Sequence, residues 1–282
     1  MLRQLKQRHL SSVNAMRETY IPMLSVEGVS KTFHAGTVDE RIALTDVSLK
    51  LAAGDFAVVV GGNGAGKSTF LNMLAGEVTP DSGVIAIDGR DVTPLPTHRR
   101  AQHIARVFQD PSIGTAAALS LEENLAVAHR RGAKRGFSLG LTTALSGEFR
   151  DRIASFDLGL EKRLKAKASL LSGGQRQALS LLMAVLQRPQ LLLLDEHTAA
   201  LDPRTAEIVM RVTHQVVTES RLTTLMVTHN MQHALDYGNR LVMMRDGRVV
   251  GDLSGDAKRA MTMEKLMATF NETPDAAMTV NA

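Results

Sequence analysis

The stretch F-A-V-V-V-G-G-N-G-A-G-K-S-T, Phe56 to Thr69, decides how this chain folds. Phe56–Val60 is a continuous apolar run, read as a strand entering a glycine-rich turn. Gly61 to Thr69 fits G-x-x-x-x-G-K-[ST], and Lys67–Ala75 reads as the helix that follows. In such a strand–turn–helix the loop residues Gly61, Gly62, Asn63, Gly64, Ala65 and Gly66 turn successive backbone N–H groups inward. The helix start behind them adds partial positive charge, so the loop is built to hold a phosphate chain. Lys67 is placed to reach β- and γ-phosphates, Ser68 to ligate Mg²⁺, and Thr69 completes the motif.

Outward from this loop, strand and helix patterns alternate, which predicts an α/β fold. Leu24–Val29, Leu44–Leu51, Val84–Ile87 and Ile104–Phe108 read as strands. From Ser120 to Leu186 the pattern changes: Leu121–Arg131, Thr143–Phe156 and Gly174–Leu186 look helical, with no good strand between them. An all-helical insert, about residues 110–187, is expected inside the α/β core. Alternation resumes with strand Leu191–Leu194, helix Pro203–Glu219, strand Thr223–Thr228 and helix Met231–Tyr237. Leu241–Met244 and Arg248–Gly251 form a hairpin around Asp246-Gly247, and Thr262–Phe270 closes the domain, taken as 23–270.

Bulk properties agree with one large domain. The chain has 282 residues, 44% of them hydrophobic, and no apolar run long enough to span a membrane. Cysteine is absent, which excludes disulfides and thiolate metal sites and suits a reducing compartment. The net charge of +4 comes largely from residues 1–22, where Arg3, Lys6, Arg8 and Arg17 face only Glu18. With no tryptophan and 4% aromatics, platforms for stacking bases are scarce, so no nucleic-acid partner is expected. Residues 1–22 read as a flexible extension or a short amphipathic arm, and 271–282 as a flexible tail.

Two further motifs carry chemistry. L-L-L-L-D-E, Leu191 to Glu196, is a buried strand ending in two acids. Apolar strands often end so, but behind a phosphate loop Asp195 becomes the expected holder of Mg²⁺ and Glu196 the general base that polarises the attacking water. L-S-G-G-Q-R-Q, Leu171 to Gln177, opens a helix with Ser172 as N-cap. Gly173 and Gly174 leave room for close backbone approach, and with Gln175 this is a second helix start able to take a phosphate, although an ordinary capped helix would also use S-G-G.

Together these motifs resemble the ABC-transporter ATP-binding family over about Leu24 to Phe270. The resemblance implies a P-loop NTPase core of the RecA-like type, an N-terminal antiparallel β subdomain and an inserted α-helical subdomain. It matches Phe33 in V-S-K-T-F to the aromatic that stacks on adenine, though a lone Phe after a strand also serves as core. Gln109 in V-F-Q-D-P matches the residue that contacts Mg²⁺ or water and joins core to insert. Asp202 in A-L-D-P matches the acid of the loop that crosses the dimer, and His229 in V-T-H-N the histidine that senses the γ-phosphate. His229 and His233 lie four apart, but no Glu follows His229 and no third zinc ligand is evident.

Two positions depart from the family: His197 stands where proline is usual and Ala199 where serine is usual. E-H-T-A-A-L-D-P looks like a bacterial uptake subfamily of the branched-chain amino acid type. The implied function is ATP-driven transport, import, of a small solute such as an amino acid. The implied partners are a second ATP-binding subunit, separate transmembrane permease subunits and, indirectly, a solute-binding protein, at the cytoplasmic face of the membrane. Ile113, Leu119 and Leu121 would floor the permease groove, with basic residues at its rim, unless they pack the insert's own core, and R-R-G-A-K-R, Arg130–Arg135, sits near anionic headgroups or is a plain solvated loop. The alternatives are a kinase, which has no use for a second phosphate clamp, and a non-transport ABC ATPase acting on nucleic acid or the ribosome. Members of that second class carry coiled coils, cysteine modules or two fused ATPase halves, none of which is present.

Overall fold

The computed structural model describes residues 21–132, 140–156 and 158–271. Expectations for residues 1–20 and 272–282, and for Lys134 and Arg135, lie outside them. Strands β1 (Leu24–Phe33), β2 (Arg41–Leu51) and β3 (Phe56–Val60) lead into α1 (Lys67–Ala75). Then come β4 (Ser82–Ile87), β5 (Arg90–Asp91), α2 (Thr97–Arg100) and β6 (Ile104–Val107). The helical stretch holds α3 (Pro111–Gly114), α4 (Leu121–His129), α5 (Thr143–Ala154) and α6 (Gly173–Val185). β7 (Leu191–Asp195), α7 (Pro203–Ser220), β8 (Thr224–Val227), α8 (Met231–Asp236), β9 (Arg240–Arg245), β10 (Arg248–Ser254), α9 (Gly255–Arg259) and α10 (Met263–Asn271) follow.

The strands form two sheets. One has the order β2-β1-β4-β5 with antiparallel pairing; the other has the order β10-β9-β3-β8-β7-β6. In the second sheet β9, β3, β8, β7 and β6 are parallel neighbours, and only β10 runs antiparallel. Period-two alternation divides its apolar residues between two cores. Val58, Val60, Leu192, Leu194 and Met226 face a core with α6, α7 and the helical stretch. Ala57, Val59, Leu191, Leu193 and Leu225 face α1 and the antiparallel sheet. A strand buried on both faces has no polar side, hence the unbroken apolar runs in the sequence.

β1 continues four residues beyond the expected Val29. Its pairing with β2 shifts register after Val26 and again around Lys31, so the inside–outside alternation breaks where the strand does not. The start and end of α1 are both set by glycine: Gly66 at φ 92° and Gly76 at φ 80°. Arg100, 1% exposed, donates to the carbonyls of Met73, Leu74, Leu95 and Thr93, placing a cation on the negative end of α1.

Between β6 and β7 every element among the described residues is helical. α4 begins with a capping box between Ser120 and Glu123. It ends at His129, not at the expected Arg131, before Gly132 at φ 77°. Leu121 is fully buried with Leu125, Phe149 and Ile153, so it belongs to the core of this segment and not to a surface groove. Buried Asn124 clasps the preceding loop, accepting from Ala116 N–H at 2.8 Å and donating to the Ser120 carbonyl at 2.9 Å. Arg131 is no solvated rim either: its guanidinium donates to the Ala184 carbonyl at the end of α6.

Gly174 has a packing role beside the expected one. It is buried against α7, and a Cβ there would run into the Thr205 methyl group. Its lack of a side chain serves helix packing, while Gly173, exposed, leaves the open approach at the helix start. Gly174→Ala is therefore expected to cost about 1–3 kcal/mol by overpacking. Thr205→Ser, which deletes the obstructing methyl, should restore most of that in the double variant. Urea unfolding of the four proteins checks this, and full stability in Gly174→Ala would contradict the packing account.

Candidate active site

Three parallel neighbours, β3, β8 and β7, each deliver one loop at the same end of the sheet. Ligand crevices of open α/β sheets lie at these carboxyl ends. The glycine loop follows β3, Thr228 and His229 follow β8, and Asp195 and Glu196 end β7.

The glycine loop is backed by β2 and the β9–β10 turn. Gly66 sits so close to Ala43 that a Cβ would meet its carbonyl oxygen at 2.6 Å, and its φ of 92° is itself a glycine conformation. No side chain caps the first turn of α1, which leaves its N–H groups for a ligand. The Lys67 ammonium, nearly buried, donates to the carbonyls of Gly61 at 2.8 Å and Gly62 at 3.0 Å. Burial holds its pKa below the usual lysine value, and the Glu196 carboxylate partly opposes that shift. Ser68 is exposed at the mouth of the loop.

His229 Nδ1 lies 3.1 Å from Glu196 Oε2. A carboxylate oxygen accepts, so Nδ1 is the donor of this bond. Glu196 holds a left-handed backbone, φ 43°, a conformation that costs on the order of 1 kcal/mol for a non-glycine residue. The turn is anchored on both sides. Glu196 N–H donates to the Val227 carbonyl at 3.0 Å, and its carbonyl accepts from Ala199 N–H at 2.9 Å. A cleft of about 380 Å³ opens beside Glu196 and His229, bordered by Ala199, Leu201, Glu207 and Asp236.

The other expected site residues stand apart. Phe33 ends β1 in the antiparallel sheet, with the Lys31 ammonium 5.7 Å from its ring centroid. Gln109 is exposed in the bend after β6. Ser172 and Gln175 close a capping box at the start of α6, which packs on α7, and Asp202 caps α7 by accepting from Thr205 N–H at 3.1 Å. The glycine loop and this second helix start thus rest on different neighbours.

Two residues gain meaning only here. His197 is 2% exposed, and its Nε2 lies 3.0 Å from the Thr213 hydroxyl. That hydroxyl donates to the Val209 carbonyl, so His197 must donate to it as the neutral Nε2–H tautomer. The imidazole that replaces a proline therefore pins the turn after Glu196 to α7. Arg106 on β6 was not anticipated: its guanidinium bonds Asp195 at 2.6 Å and Glu77 at 2.9 Å. The one sequence signal was an arginine inside an otherwise apolar strand.

The chain matches the family model described as ABC transporter over residues 44–199. A tyrosine transport ATP-binding protein of Clostridioides difficile is 41% identical over 251 residues, 88% of this chain and 98% of that protein. A phosphonates import ATP-binding protein of Haloquadratum walsbyi is 34% identical over 233 residues, 82% of this chain and 73% of that protein. Neither is described by a branched-chain amino acid. Among solved structures, a dimeric post-hydrolysis ATP-binding cassette bound to ADP and Pi superposes with a TM-score of 0.70 at 28% identity. That match covers 82% of this chain and 98% of the other.

Burial, with His233 nearby, pushes the His197 imidazole down to about pKa 3. In the unfolded chain a histidine takes up its proton near pH 6.5. Between pH 6.5 and 3 the unfolded state thus binds the extra proton, so stability falls as pH drops through that window, by about 1.4 kcal/mol per pH unit. His197→Gln keeps a donor for Thr213 and removes the titration. Between pH 6.5 and 5 it is expected to lose about 2 kcal/mol less unfolding free energy than the parent. Equal losses would contradict a buried neutral His197.

Proposed function

The chain belongs to the ABC transporter family of ATP-binding subunits, and on that premise we propose that it hydrolyses ATP as one half of a sandwich dimer, powering import of a small amino-acid-like solute through a separate permease. The observation that carries this reading is the convergence of Lys67, Asp195, Glu196 and His229 at the carboxyl end of the sheet. The proposed second phosphate clamp is the capped helix start at Ser172, whose neighbours are Leu201 and Thr205 and not the glycine loop.

ATP phosphates take the bare N–H groups of α1, and Lys67 exchanges two loop carbonyls for phosphate oxygens. Glu196 accepts a proton from the attacking water, and His229, held by Glu196 through Nδ1, donates to the γ-phosphate from Nε2 when that nitrogen also carries a proton. Phe33 takes the adenine after releasing Lys31. Ser172, Gly173, Gly174 and Gln175 of one subunit close over the γ-phosphate held by the other, with Asp202 at the crossing. ATP then favours closure through contacts made only in the dimer. The oxygen donors Ser68, Asp195 and Gln109 fit Mg²⁺, a hard cation, which when bound supplies charge stabilisation for the phosphoryl group.

The permease is proposed to dock in a groove of about 310 Å³ on the helical segment, lined by Ile113, Ala116, Leu119, Val127 and Met183. Ile113 and Val127, at 65% and 64% exposure, have no fold-level reason to face water. No helix among the described residues is long and apolar enough to cross a membrane. The chain is therefore proposed to sit at the inner face through the permease, with a solute-binding protein supplying solute from outside. The solute class rests on the tyrosine transport relative.

Glu196→Gln should keep ATP binding, lower turnover on the order of 10²-fold or more, and accumulate a dimer with MgATP on a sizing column. A variant that binds ATP and stays monomeric would count against the sandwich. Ile113→Glu with Val127→Glu should leave the isolated ATPase unchanged and abolish solute uptake in vesicles holding the assembled complex. Uptake at the parental rate would sink the docking surface.

A further inference from the structure

Arg106 holds an unusual place. It lies in the middle of β6, its side chain is 11% exposed, and both its partners are acids. Nη2 donates to Asp195 Oδ2 at 2.6 Å, and Nη1 donates to Glu77 Oε1 at 2.9 Å. Glu77 follows the last turn of α1. The guanidinium lies 4.8 Å from the centroid of the Phe108 ring, one residue before Gln109. Nε is buried without a partner. The charge is therefore held by two competing carboxylates and an aromatic face, with its donor set incomplete.

Asp195 is the acid that the preceding reading assigns to Mg²⁺, and the present inference rests on that reading. A carboxylate already bonded to a guanidinium at 2.6 Å is partly neutralised, which opposes cation binding. We propose that Arg106 is a positioning residue that acts as the counter-ion of Asp195 in the nucleotide-free subunit, and that a divalent cation takes Asp195 only as Arg106 transfers its charge to Glu77. Asp195, 16% exposed, is never left buried without a positive partner, and Glu77, 40% exposed, provides the second station. Because the guanidinium rests on Phe108, whose carbonyl accepts from Gln177 Nε2 on α6, the exchange is mechanically linked to the bend at Gln109 and to the helical segment.

The transfer predicts opposite effects from the two ends of the triad. The quantity measured is the Mg²⁺ concentration at half-maximal enhancement of binding of a fluorescent ADP analogue, a reading independent of hydrolysis. Arg106→Gln removes the competitor for Asp195, and the midpoint should fall about tenfold. Glu77→Gln leaves Arg106 with Asp195 alone, and the midpoint should rise several-fold by the same interaction. Analogue binding in EDTA should change in neither. Mn²⁺ binding in the presence of unlabelled ADP, read by electron paramagnetic resonance, should follow the same order. If Arg106→Gln leaves the midpoint unchanged or raises it, the counter-ion role is overturned. Should Arg106→Gln fail to fold, Glu77→Gln carries the test alone, and an unchanged or lowered midpoint overturns the proposal. Asp195→Asn separates the two readings. If it leaves the Mg²⁺ dependence intact, the assignment of Asp195 to the cation fails, whereas a lost dependence with an unmoved Arg106→Gln midpoint rejects Arg106 alone.

Discussion

The parallel pairing of β3, β8 and β7 is the constraint on which the site depends. Val59 is in register with Val227, and Val227 with Asp195, so the loops that follow the three strands must emerge side by side. Each strand is apolar on both faces, because α1 with the antiparallel sheet covers one side and α6 with α7 covers the other. A slip of one residue would send every side chain into the wrong core. Packing of some of the most buried residues in the chain thereby fixes the relative position of Lys67, Glu196 and His229, which share no local sequence.

Around that end of the sheet, the charged groups already have partners. Lys67 donates to loop carbonyls, Asp195 is bonded to Arg106, and Glu196 is bonded to His229. In the proposed function a nucleotide and its cation take over Lys67 and Asp195, and until then neither is left unpaired in the half-buried cleft. The turn bearing Glu196 is treated differently. Its left-handed backbone, its two main-chain hydrogen bonds and the His197–Thr213 bond fix it to α7. A general base, the role proposed for Glu196, gains from such preorganisation, since the accepting carboxylate must not move during the reaction.

Much of this was legible in the chain. The buried strand, the glycine loop and the helix at Phe56–Ala75 follow from residues within one short segment, and the structure forms them with the expected limits. The hairpin at Asp246-Gly247 was equally local, both residues having positive φ. Where alternation was interrupted the reading stopped early, as at Val29, because a bulge changes periodicity without ending the ladder. Leu121 could be read as groove floor or as core and is core, since a helix face cannot be assigned inside or outside without its neighbour Phe149. Gly174 read as room for close backbone approach, and its packing contact with Thr205 could not be seen for the same reason.

The sequence by itself determined the phosphate loop, the two acids after the leucine strand, the second capped helix start and the α/β alternation with a helical segment inside it. These are decided by φ/ψ preferences, capping and periodicity, which act over a few residues. Only the tertiary structure decided that Arg106 faces Asp195 from 89 residues away, that His197 is neutral and bonded to Thr213, and that Arg131 ends on the Ala184 carbonyl. Those facts depend on which strand lies beside which and on where water is excluded. Strand order and burial are set by the closing of whole cores, and no local pattern in a single chain encodes the partner across the sheet.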